Sequence, residues 1–139
     1  MRAVLDVNVL VSAVLSPRWS PSRLFVAWQS GAFELVVSPA LLLAELARAM
    51  AYPKLACLVP PANAAAFVAW IARSAVLAPD PEASPQIRSA DPNDDYLVAL
   101  AMAERAVLVS GDGHLPVLAD RLPVRTPAAF LASLHEPRP

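Results

Sequence analysis

MRAVLDVNVLVSAV, residues 1–14, is the stretch whose reading decides the fold. An apolar run, Ala3-Val4-Leu5, ends at a carboxylate, Asp6; Asn8 follows after one residue, and apolar residues then resume. A strand over residues 2–5 that gives way to a helix over 9–15 puts the acid at the strand's carboxyl end. In open α/β sheets that edge is where ligands bind. A carboxylate left unpaired among Val and Leu is costly. Asp6 therefore calls for a cation, and the groups that share it are to be sought further along the chain.

Outward from this opening, strands and helices alternate. Ser20 as a cap with Pro21 at the first helical position predicts a helix to Gln29, broken by Gly31. Residues 33–37, FELVV, form a second strand. Ser38-Pro39 repeats the cap-plus-Pro signal and opens a helix that Tyr52-Pro53 ends. Pro60-Pro61 precedes a helix over 62–74, and 75–78 is a short third strand. Residues 79–89 are Pro-rich and charged and read as an exposed loop. Asp91-Pro92 starts a helix to Glu104, 106–109 is a fourth strand, and 115–120 is a short helix. A fifth strand over 123–125 and a helix over 127–134 complete a domain of residues 1–135, with a frayed tail at 136–139. The alternation predicts an α/β fold: a central parallel sheet of four to five strands, with helices on both faces.

The chain has 139 residues, enough for one domain with a real core. A net charge of -1 gives no global basic field, although an acidic cluster can mask a local basic patch. Cys57 is the single cysteine, which excludes an intrachain disulfide framework. Asp6 and Asn8 interrupt the N-terminal apolar run, so it does not read as a signal peptide, and no apolar stretch reads as a membrane span. The expected location is the cytoplasm.

Several of the 12 acids stand where acids are not expected. Asp6 ends the first strand. Glu45 lies among Leu42, Leu43, Ala44, Leu46 and Ala47. Asp91, Asp94 and Asp95 crowd one helix start, and Asp112 follows the fourth strand. In a parallel sheet these places can converge on one edge. Clustered carboxylates raise one another's pKa, and a divalent cation relieves the repulsion. An all-carboxylate site suits Mg²⁺ or Mn²⁺, and no His/Cys spacing suggests zinc. Each acid also has a structural reading. Asp6 can cap a helix, Glu45 can pair with Arg48 at i+3, Asp91 before Pro92 is an N-cap, and Asp112 can belong to a turn.

Taken together, LDVNVLVSAV, SPALLLAELARAM with the following YPKL, DPNDDYLVALA and VLVSGDGHL resemble the PIN-domain family, in its branch of VapC-like toxins of type II toxin–antitoxin pairs. The resemblance implies a metal-dependent ribonuclease acting on RNA, with Asp6, Glu45, Asp94 and Asp112 as site and metal residues. It also implies Asn8 and Ser110 as outer supports of the carboxylates and waters. Asp91, Asp95 and His114 rank behind them; His114 stands where members often carry another Asp, and Val7 where Thr is common. The implied partners are RNA and a cognate antitoxin, and the apolar composition suits burial beneath an antitoxin or in a homodimer. The rival reading is a non-catalytic PIN scaffold that binds RNA or a partner protein.

Overall fold

Strands β1 (Arg2–Leu5) and β2 (Glu34–Val37) each consist of one exposed residue followed by three buried ones. Consecutive burial means that both faces are covered, which is what apolar runs without alternation require. The computed structural model describes residues 1–15, 20–39, 45–81, 95–111 and 124–134, apart from the side chains of Ser20, Pro21 and Asp95. With β3 (Val76–Leu77), β4 (Val107–Val109) and β5 (Val124–Arg125), the strands form a five-stranded sheet in the order β3-β2-β1-β4-β5. Every pairing is parallel.

The helices are α1 (Val7–Leu15), α2 (Ser20–Gln29), α3 (Ala47–Met50), α4 (Pro53–Ala56), α5 (Pro61–Ser74), α6 (Asp95–Ala103) and α7 (Pro127–Leu134). Glu45 and Leu46 form a wide π-type turn that runs into α3. The connections from β1 to β3 step one way across the sheet, and the connection through α6 steps back. Right-handed crossovers therefore put α6 on the face opposite α1 to α5. There α6 lies against β1 and β4. Its residues Leu97 to Ala101 are buried in unbroken succession. On the other face α1 packs on α2, α2 on α7, and α3 on α5. Phe25 and Trp28 of α2 meet Phe67 and Trp70 of α5 with ring centroids 5.1–5.9 Å apart. Phe130 of α7 stands edge-on to Phe33 at 5.1 Å.

Local chemistry explains most of the boundaries. Helix α2 stops at Gly31, whose φ is 85°. Gly31 N donates to Trp28 O and Ala32 N to Ala27 O, the paired bonds of a Schellman cap. Helix α6 stops the same way, but Arg105 occupies the left-handed position at φ 53°. Helix α7 begins with Pro127 at its first position, and Thr126 Oγ1 accepts from Ala129 N at 3.1 Å. The sequence reading misses α4. Pro53 looks like a terminator, yet it sits at the first position of a short helix, where its missing N–H costs nothing. Strand β3 is shorter than the apolar run suggests, and α1 begins two residues sooner, directly after Asp6. The expected helix at 115–120, the start of the helix at Asp91-Pro92 and the tail lie outside the described residues. No described helix is long and apolar enough to cross a membrane.

Candidate active site

Strand β1 is central, with β2 on one side and β4 on the other. The chain leaves β1 toward β2 and later returns to β4, so the winding reverses between β1 and β4. The carboxyl ends of these two strands bound the crevice where open α/β sheets place ligands. Asp6 is the first residue past β1, and Ser110 is the first past β4. The register pairs Leu5 with Val109, which brings Asp6 level with Ser110.

Asp6 is anchored through four groups. Its N–H donates to Val109 O at 3.0 Å, extending the ladder by one rung. Its carbonyl accepts from Leu10 N at 3.1 Å, the first turn of α1. Its Oδ1 accepts from Val9 N at 2.9 Å, and its Oδ2 accepts from the Ser110 hydroxyl. Asp6 is thus the N-cap of α1, and the helix's positive end favours its negative charge. The side chain is 5% exposed. Burial in a largely apolar setting strengthens each of these bonds, because the local dielectric is low. The capping reading of Asp6 is therefore met in the structure. Capping and metal ligation are compatible in principle, because one carboxylate can accept from a backbone N–H and face a cation at the same time.

Among the described residues, the buried polar and charged side chains are Asp6, Ser38 and Ser110. Each is the first residue past the carboxyl end of a strand. Arg2 pairs with Glu34 and Ala3 with Leu35; the same register continued brings Ser38 level with Asp6 on the side away from Ser110. Sequence reasoning took Ser38 for a helix cap and gave it no place at the site edge. The signal was there, in a polar residue that ends the second strand-sized apolar run.

Glu45 is described at the turn into α3, with its side chain 42% exposed and 3.9 Å from Arg48 Nη1. The i+3 pair is made, in water-accessible surroundings where such pairs contribute little. Asn8 is exposed on the first turn of α1. Asp91, Asp94, Asp112 and His114 lie outside the described residues, as does the side chain of Asp95. Among the described residues no three Asp, Glu, His or Cys side chains come together. The structure thus brings together Asp6 and Ser110 of the expected set.

A doubly wound parallel sheet with a buried carboxylate at its switch point defines the class: an α/β protein whose ligand edge lies at the carboxyl ends of β1 and β4. The chain belongs to the PIN-domain family, whose model matches residues 2–114. Its fold is similar to that in the crystal structure of VapBC2 from Rickettsia felis bound to a DNA fragment from their promoter. That match has a TM-score of 0.60 and 17% sequence identity, and it covers 90% of this chain and 97% of the other. No curated protein sequence matches the chain.

Proposed function

We propose that this protein is a divalent-cation-dependent endoribonuclease that hydrolyses phosphodiesters of single-stranded RNA, and that it is the toxin of a type II toxin–antitoxin pair acting in the cytoplasm. The observation that carries the reading is the position of Asp6: a buried carboxylate at the switch point, oriented by Ser110 and by the N-terminus of α1. Membership of the PIN-domain family supports it. The fold likeness to VapBC2, bound to a fragment from their promoter, supports a partner protein, which for such a toxin is a cognate antitoxin.

The donor set fits a hard cation, because oxygen ligands and carboxylate charge are what Mg²⁺ and Mn²⁺ require. Asp6, Asp94 and Asp112 would hold it. When bound, the cation supplies acidification of water and neutralisation of charge on the phosphoryl oxygens. Glu45 either holds the cation through a water or orients the attacking water. Ser110 keeps the Asp6 carboxylate in one orientation, and Asn8 steadies the waters at the rim.

The test is cleavage of single-stranded RNA by the purified chain with Mg²⁺ or Mn²⁺. Chelation and Asp6→Asn should each abolish cleavage, with the folded state unchanged by circular dichroism. Binding of RNA without cleavage, equal in the native chain and Asp6→Asn, would replace this reading by the non-catalytic scaffold.

A further inference from the structure

Helices α2 and α5 end side by side, and their last residues share a cleft. Gln29 ends α2 and Ser74 ends α5; with Trp28 and Trp70 they line an open cavity of about 290 Å³. The two indoles are half-buried, with ring centroids 5.1 Å apart and planes inclined at 51°. At that angle the rings do not close flat on one another. Gln29 and Ser74 are exposed at the rim. Helix α2 leads into β2 and α5 into β3, so the cleft lies by the amino ends of those strands, on the edge of the sheet opposite Asp6.

The electrostatics of the cleft favour a cation that carries N–H groups. A helix C-terminus has a partial negative charge and carbonyls without intrahelical donors, and two such ends meet here. At α2 the cap engages the carbonyls of Ala27 and Trp28, and the last turn holds no basic residue. At α5 Ala75 is extended and its N–H reaches back to Ile71 O at 2.9 Å, so the carbonyls of Ala72, Arg73 and Ser74 have no donor within the helix. Arg73, the basic residue of that last turn, is exposed and does not line the cleft. Indole faces attract cations as well. A guanidinium answers all of these features, because it is planar, weakly hydrated, stacks on aromatic rings and presents a fork of N–H donors, whereas an ammonium is a strongly hydrated point charge. A nucleobase would also stack, but RNA would bring its phosphates to the negative ends of two helices.

We propose that the cleft between the ends of α2 and α5 binds a guanidinium group. The planar cation lies against the indoles of Trp28 and Trp70 and donates to the Gln29 amide oxygen and to the last carbonyls of α5. The inference uses neither the divalent-cation site nor the partner protein of the reading above.

Agmatine titrated into the full chain at constant ionic strength tests it, with the indole N–H resonances of Trp28 and Trp70 as the readout. Both should shift to saturation. Butylurea, of similar shape without the charge, and butylamine, with the charge but no plane, should each bind weaker by roughly two- to fivefold. Gln29→Lys, at an exposed position, should weaken agmatine by a similar factor while the thermal melt and RNA cleavage stay unchanged. Arg73→Gln should strengthen it by about twofold, because a like charge is removed. A capped Ala-Arg-Ala tripeptide separates the two sources of the group: binding as tight as that of agmatine assigns the cleft to an arginine of a polypeptide, and exclusion of the tripeptide assigns it to a free guanidino compound. A shift that does not saturate, equal binding of butylurea, tighter binding of adenosine, or binding indifferent to Gln29→Lys would overturn the proposal.

Discussion

The hydroxyl of Ser110 donates to Oδ2 of Asp6 across 104 positions of sequence, joining the carboxyl end of β4 to that of β1. The bond lies where the winding of the sheet reverses. It holds a buried acid in one orientation at the edge from which such sheets work.

Asp6→Asn separates the cap from the charge. Asn caps a helix about as well as Asp, so the bond from Val9 N is kept, and the loss of stability without metal should not exceed the about 1–3 kcal/mol of the charge-assisted bond to Ser110. Cleavage should fall on the order of a hundredfold or more, because the charge that holds the cation is gone. Asp91→Asn in the same assay should leave most activity. Equal activity in the two variants would make Asp6 structural.

Ser110→Ala should cost about 1–3 kcal/mol of stability, since a buried carboxylate loses a charge-assisted hydrogen bond. Turnover should fall less than in Asp6→Asn, because the carboxylate remains. Urea unfolding and single-turnover cleavage measure the two effects. A Ser110→Ala protein as stable and as active as the native chain would remove Ser110 from the site.

Glu45→Gln distinguishes the surface pair from the catalytic role. Losing an exposed bond to Arg48 should cost at most about 1 kcal/mol. If Glu45 works on the attacking water, turnover should nearly vanish while the stabilisation by Mn²⁺ survives. Full activity in this variant would leave the pair with Arg48 as its whole role.

Mn²⁺ at about a hundred times its dissociation constant should stabilise the native chain by about 2.7 kcal/mol, a shift on the order of 5–10 °C in the melt. Asp6→Asn should lose that shift. A native melt unmoved by millimolar-scale metal would count against the cation site.

The two left-handed positions should respond with opposite signs. Gly31→Ala meets no atom within 4 Å of the new Cβ, so its cost is conformational alone, about 1 kcal/mol. Arg105→Gly relieves a strained side-chain-bearing residue and should gain about 0.5–1 kcal/mol. Chemical denaturation of both, with cleavage unchanged, checks the assignment of the two caps.

Sequence alone determined the elements that local chemistry dictates. The first strand at Arg2–Leu5, the last helix at Pro127–Leu134 and the end of α2 at Gly31 follow from apolar runs, a Pro at a helix start and a residue able to take positive φ. Each signal acts within a few residues of itself. Pro53 shows the limit of that reasoning, because a proline that ends one helix can begin the next.

Strand order, by contrast, was decided only by the tertiary structure. No residue in β1 announces that β1 lies between β2 and β4, and no spacing announces that Ser38, Asp6 and Ser110 share one buried row. Pairing and register depend on which apolar faces are buried together, and those partners are remote in sequence. Asp6 could be recognised as out of place from its neighbours alone; the hydroxyl that holds it could be found only once β4 lay beside β1.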